Sequence, residues 1–211
     1  MERLILASGS SRRRELLAAA GIPFDILIPD LDETLRDSFE PKERVVALAE
    51  DKAKAAAELA SSLSPRLILA ADTLVCLPHG SASGGELALG KPRDEKEARE
   101  MLHNLAGRTH VVRTGLALFD RSKSSIYSIR SDSAVRFTPM TGEEVEAYLS
   151  SGEWEGVAGA YRIQGLASFF IDRLAGSWTG VVGLPMQELY VILQQAGYRV
   201  PFFRMGPTTV M

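Results

Sequence analysis

The stretch Arg66-Leu-Ile-Leu-Ala-Ala-Asp72-Thr73 decides the fold class. Leu67 to Ala71 is an unbroken apolar run of strand length, and it reads as a buried strand. The strand is expected to end at Asp72-Thr73. A carboxylate at the carboxyl end of a buried strand is where open α/β sheets place their sites. The alternative for Asp72 is an ordinary turn or cap aspartate.

Upstream, Arg3-Leu-Ile-Leu-Ala7 is a second short apolar run and a second buried strand. The small polar stretch Ser8-Gly9-Ser10-Ser11 follows. A helix then reads from Arg12 to Ala20, with Leu16, Leu17 and Ala20 on its apolar side and Gly21 and Pro23 to stop it. Phe24 to Ile28 reads as a strand that Pro29 ends. After Pro41 an alanine-rich helix runs to about Ala60, with Val45, Leu48, Ala49, Ala53, Ala56 and Ala57 at helical spacing.

Downstream, Leu74–Leu77 and Glu86–Leu89 suggest a hairpin across the Gly/Ser-rich residues Gly80 to Gly85. Asp94 with Glu97, and Thr141 with Glu144, read as capping boxes for two further helices. Between them, Thr109–Phe119 and Ser125–Phe137 are long β-rich runs of one hairpin, turning near Asp120 to Ser124. Phe169–Leu174 reads as a strand, and Pro185 opens a last helix through Gln195. Early strand–helix alternation with a β-rich middle predicts a mixed α/β sheet with a second lobe around residues 75 to 140.

The chain has 211 residues and a formal net charge of -3. That balance argues against a nucleic-acid polymer as partner, which wants a basic face, and leaves room for a local basic pocket. Cys76 is the single cysteine, so no intrachain disulfide can form; it lies among Leu74, Val75 and Leu77 and reads as a buried small hydrophobe. The three histidines have no Cys/His zinc spacing. The N-terminus is too short and too soon followed by arginines for a signal peptide, and no stretch approaches the roughly 20 apolar residues of a membrane span. A cytoplasmic protein without a membrane partner is the expectation.

Five groups of residues carry candidate chemistry. Ser8-Gly9-Ser10-Ser11-Arg12-Arg13 sits between a strand and a helix, where small residues and a helix start suit an anion. The alternative is a capped turn with solvated arginines. Asp72-Thr73 is the second group. The third is Asp32-Glu33, where Glu33 and Asp72 could supply the one or two carboxylates Mg²⁺ needs beside phosphate oxygens and water. The fourth is cationic: Lys52 and Lys54, of which at most one can face a site because they are two apart on a helix, and Lys91 between Gly90 and Pro92. Last comes Gln164 in Ala160-Tyr-Arg-Ile-Gln164-Gly165, with both a donor and an acceptor for a base edge. For each group a solvated face or a plain turn is the competing reading. The mixture suits a metal-bound polyphosphate better than a sugar or peptide.

In order along the chain, these stretches resemble the Maf family of nucleotide pyrophosphatases. The resemblance runs through Leu6-Ala-Ser8-Gly-Ser10-Ser-Arg12-Arg13, Asp32-Glu33, Leu48-Ala-Glu-Asp-Lys52-Ala53, Ala71-Asp72-Thr73, Gly90-Lys91-Pro92, Leu105-Ala-Gly107-Arg-Thr-His110, Ala158 to Gly165 and Val182-Gly-Leu-Pro185. It implies a mixed, twisted α/β sheet with flanking helices, like that of the inosine triphosphate pyrophosphatases. A single domain over residues 1–211 would have two lobes and an active-site cleft between them. The implied reaction hydrolyses a nucleoside triphosphate to its monophosphate and pyrophosphate with a divalent cation, Mg²⁺ or Mn²⁺.

By the same resemblance, Asp72 matches the catalytic carboxylate, and Glu33 with Asp72 matches the metal-binding positions. Ser8, Ser10, Arg13, Lys52 and Lys91, with Arg12, match the phosphate-binding set. Arg12, Thr73 and Gln164 match positions tied to substrate choice. Ile163-Gln164-Gly165 looks like the branch acting on dTTP and UTP. Other outcomes the resemblance leaves open are 7-methyl-GTP or another modified nucleotide as substrate, and a nucleotide-binding regulator of cell division without turnover. It also implies a possible homodimer. The chain departs from the family pattern at Ser11, usually proline, and at Gly156-Val157, usually Asp-Lys.

Overall fold

The computed structural model describes residues 2–62, 65–78 and 85–200. Its centre is a seven-stranded mixed sheet in the order β2-β1-β3-β5-β6-β7, with β4 also on β3. The strands are β1 (Leu4–Leu6), β2 (Phe24–Ile26), β3 (Leu67–Pro78), β4 (Glu86–Leu89), β5 (Thr109–Asp120), β6 (Ser125–Phe137) and β7 (Ile171–Ala175). β1 runs parallel to β2 and β3; the other pairs are antiparallel. The flanking helices are α1 (Ser11–Ala19), α2 (Pro41–Leu59), α3 (Glu95–Leu105), α4 (Gly142–Ser150), α5 (Trp178–Val182) and α6 (Met186–Gln195).

The sheet is clad by helices on both faces where β1, β3 and β5 meet. On one face Leu67, Leu69 and Ala71 pack with Leu17 of α1 and with Leu189, Ile192 and Leu193 of α6. On the other, Ile68 and Ala70 pack with Ala49, Ala53 and Ala56 of α2. Small alanines let α2 lie close to the sheet. Closest is Gly115 of β5, where an added Cβ would stand 2.2 Å from the Val45 carbonyl oxygen. Beyond Leu74, a third cluster gathers Val75 and Leu77 with α3, β6, α4 and the chain as far as Val182. It therefore continues well past residue 140.

Three boundaries differ from expectation, the first being β2, which stops at Ile26 and not at Ile28. β3 does not end at Asp72-Thr73; it runs unbroken for 12 residues through both, because β5 pairs with it from Leu67 to Cys76. Phe169 and Phe170 belong to a 3₁₀ turn over Leu166–Phe170, and β7 starts at Ile171. Thr141 and Glu144 form the expected capping box. At α3 only half of one forms: Asp94 accepts from the Glu97 amide, but the Glu97 carboxylate turns to the amide and guanidinium of Arg93. The turn expected at Gly80–Gly85 falls largely outside the described residues. Among those described, no helix is long and apolar enough to cross a membrane.

Cys76 is buried as expected, and burial pushes its thiol up to about 12. His110 is fully buried, with Nε2 2.8 Å from the Tyr161 hydroxyl, and both its neighbours Phe137 and Tyr161 meet it edge to face. Burial holds its imidazole down to about 4, against 6.5 when free. The unfolded chain therefore takes up a proton between these values that the folded chain refuses. Stability should fall as pH drops from 6.5 to 4 by up to about 1.4 kcal/mol per unit from this group, and flatten below. Urea unfolding across that range should show a steeper loss for the native chain than for His110→Gln. Equal slopes would mean that the folded imidazole protonates freely.

Candidate active site

One edge of β3 is uncovered at its middle. The pairing with β1 stops at Leu69, and the pairing with β4 starts at Val75. Between them lies a cavity of about 690 Å³. Strand pleating decides what faces it, because successive side chains point to opposite faces. Asp72 shares the parity of Ile68 and Ala70 and so stands on the α2 side. Thr73 shares the parity of Leu69 and Ala71 and stands on the α1 side. Adjacent residues thus serve the site from opposite faces of the sheet.

On the α2 side, Lys52 Nζ lies 2.6 Å from Asp72 Oδ1 and 2.8 Å from Glu33 Oε1. The lysine and Asp72 side chains are largely buried, and the Glu33 side chain is half exposed. Lys52 reaches this point because it follows Leu48, a cavity-lining residue, by one helical turn. Lys54 faces away and pairs with Glu50. Burial alone would raise the Glu33 carboxyl; the hydrogen bond and charge of Lys52, joined by Lys91 and Arg13, outweigh it and hold the group below its ordinary value. Glu33 is presented by a 3₁₀ turn (Glu33–Arg36) that Asp32 caps, its carboxylate accepting from the Thr34 amide and hydroxyl. Asp32 itself does not line the cavity.

On the α1 side, Arg13 donates from Nε to the Gly183 carbonyl at 2.8 Å, from Nη1 to Ser8 Oγ at 3.0 Å and from Nη2 to Thr73 Oγ1 at 3.3 Å. Gly183 closes α5 with φ +115, a backbone state that suits glycine. Thr73 also meets Thr114 Oγ1 at 3.0 Å, and Thr114 donates to the Gly180 carbonyl. Burial, ahead of the opposing pull of Asp72, lowers the Arg13 guanidinium from its ordinary value. Arg12 stands beside it on the first turn of α1, where the amides of residues 11–13 have no acceptor within the helix.

Ten of the residues singled out from the sequence line this one cavity, Asp32 and Lys54 not among them: Ser8, Ser10, Arg12, Arg13 and Glu33 from the N-terminal part, then Lys52, Asp72, Thr73, Lys91 and Gln164. Lys91 is exposed at the rim beside Gly90. The sequence reading did not single out Tyr161, Arg44 or Gly183 as site residues, and it noted Arg162 only as a neighbour of the glutamine loop. All four line the cavity. The stretch Tyr161-Arg162 offered a signal through its closeness to Gln164; Arg44, early in a solvated-looking helix and paired with Asp37, offered none. Two carboxylates meeting on one ammonium form an oxygen-donor pair of the kind that suits a small hard cation. Among the described residues no cluster of three acidic, histidine or cysteine side chains forms.

The family described as "Maf-like protein" matches residues 3–196. A relative named dTTP/UTP pyrophosphatase from Treponema denticola is 40% identical over 205 residues, covering 95% of this chain and 100% of its own. A relative of the same name from Brucella abortus is 44% identical over 202 residues, covering 94% of this chain and 93% of its own. The solved Staphylococcus aureus Ham1 protein superposes with a TM-score of 0.45 at 12% identity, over 92% of this chain and all of that one.

The Lys52–Asp72 contact needs α2 seated on Gly115, the register partner of Asp72. Gly115→Ala should force α2 off the sheet. It should cost about 2–4 kcal/mol in chemical unfolding, at or above the usual overpacking range. An alanine tolerated within about 0.5 kcal/mol would mean that α2 adjusts without loss.

Proposed function

This chain belongs to the Maf family, and we propose that it is a nucleoside triphosphate pyrophosphatase hydrolysing dTTP and UTP to the nucleoside monophosphate and pyrophosphate. The observation that carries the reading is the junction of Lys52 with Asp72 and Glu33, set in a cavity whose other charged side chains are all cationic. A triphosphate brings about four negative charges, and Arg12, Arg13, Lys91 and the α1 N-terminus answer them. Sugar or peptide substrates would leave those cations without partners. The names of the relatives supply the pyrimidine substrates.

In this mechanism Asp72 orients the attacking water and accepts its proton at a carboxylate oxygen. The water oxygen bonds to the α-phosphorus, the bond to the bridging oxygen breaks, and pyrophosphate leaves with that electron pair. Lys52 holds Asp72 in place and offsets charge on the phosphates. Glu33 and Asp72 would hold Mg²⁺ or Mn²⁺, with phosphate oxygens and water as further ligands; when bound, the cation supplies charge neutralisation and lowers the pKa of nearby water. That help matters because an ordinary carboxylate, with a pKa near 4, is a weak base at neutral pH. Arg13, held by Ser8, Thr73 and the Gly183 carbonyl, fixes the phosphate-binding turn against the strand. Gln164 offers a donor and an acceptor that match the N–H and carbonyl of a pyrimidine edge.

The test is pyrophosphate release from a nucleotide panel, with Mg²⁺ or Mn²⁺ and with chelator. Release should favour dTTP and UTP, should vanish with chelator, and should fall by about 10²–10⁴ in Asp72→Asn with the fold kept. Near-normal turnover by Asp72→Asn would remove the carboxylate from the chemistry. Tight nucleotide binding by folded native protein with no release from any nucleotide would point to a binding regulator instead.

A further inference from the structure

The cations of the cavity are not equally occupied. Lys52 meets two carboxylates, Arg44 pairs with Asp37, and Arg13 is bound to a carbonyl and two hydroxyls. Arg44 and Arg162 each have a buried Nε without a hydrogen-bond partner among the described residues, but Arg44 is held by the Asp37 carboxylate and Arg162 has no such partner. Its backbone N–H donates to the buried Tyr148 hydroxyl at 3.2 Å, and its Nη2 makes a long contact of 3.4 Å to the Glu155 carbonyl. Its Nε is buried and has no hydrogen-bond partner among the described residues. Among the described residues no carboxylate forms an ion pair with it or with Arg12, on which Glu15 acts only through its charge. A buried guanidinium N–H without an acceptor is costly, and a ligand oxygen would remove the cost.

Arg12 and Arg162 also act on each other. Burial first, and then the charge of Arg162, push the Arg12 guanidinium below its ordinary value. Two like charges held in one part-buried cavity repel until an anion enters between them. A neutral base carbonyl would not offset two cations. Accepting the cavity as a triphosphate site, we propose that Arg162 and Arg12 form a clamp on the substrate's phosphate chain. Arg162 lies two residues before Gln164. One short segment then carries both a phosphate anchor and the base reader, so gripping the chain sets the glutamine over the base.

The test measures binding without turnover, by titration calorimetry on the full chain, using inorganic tripolyphosphate and the uncharged nucleoside uridine as separate probes. Arg162→Gln should weaken tripolyphosphate by about tenfold or more, the range for a charge-assisted hydrogen bond, and leave uridine unchanged. Arg162→Lys, which keeps the charge and stem, should recover part of the loss. With UTP, Arg162→Gln should raise KM more than it lowers kcat. Tripolyphosphate affinity within twofold of native in Arg162→Gln would overturn the clamp. So would a loss confined to uridine, which would make Arg162 a base reader. Failure of the native protein to release pyrophosphate from any nucleotide, with tripolyphosphate binding still lost in Arg162→Gln, would sink the hydrolase reading and keep the clamp.

Discussion

The ammonium of Lys52, shared between Asp72 and Glu33, is the contact on which the site depends. A carboxylate in the middle of a buried strand is costly without a partner. Here the partner comes from a helix that can reach it only by lying close to the sheet. The alanines of α2 and the missing side chain at Gly115 allow that approach. Glu33, half exposed on its 3₁₀ turn, meets the same ammonium from a third side and leaves the trio with one net negative charge. Core packing and site chemistry are therefore one constraint: a helix displaced from the sheet would also leave Asp72 unpaired.

The opposite face of β3 is tied by a different device. Arg13 joins Ser8, Thr73 and the carbonyl of Gly183, a residue 170 positions away in sequence. It fixes the N-terminal turn and the end of α5 to the same strand position that holds the acid. Strand pleating divides the work, with the acid toward α2 and the hydroxyl toward α1. The gap between β1 and β4 opens directly onto both faces, and Glu33 alone of the acidic pair is brought in by the connection between β2 and α2.

Much of this was legible in the sequence, and the failures have physical causes. Ser8, Arg13, Lys52, Asp72 and Gln164 could be singled out because each sits beside a small-residue turn, a strand or a helix with a clear pattern. Leu67 to Ala71 is apolar on both faces, so it carried no alternation to show that the strand continues; the polar pair Asp72-Thr73 then read as its end. The Phe169-Phe170 pair looked like strand residues, yet Phe169 is 82% exposed on a 3₁₀ turn. The roles of Gly183 and Gly115 rest on contacts made far away in sequence, which no local pattern records. Arg162 stood in view beside Gln164, but its unmatched Nε is visible only in three dimensions.

A double-mutant cycle on Lys52 and Asp72 tests the central contact most directly, read by urea unfolding of the ligand-free protein at neutral pH. Lys52→Met leaves Asp72 without its cation, and Asp72→Asn removes the charge that needs one. The double variant should therefore be more stable than the sum of the single losses predicts, by about 1–3 kcal/mol. Losses that add within about 0.5 kcal/mol would show that the two residues act independently, and would contradict a site built on their contact.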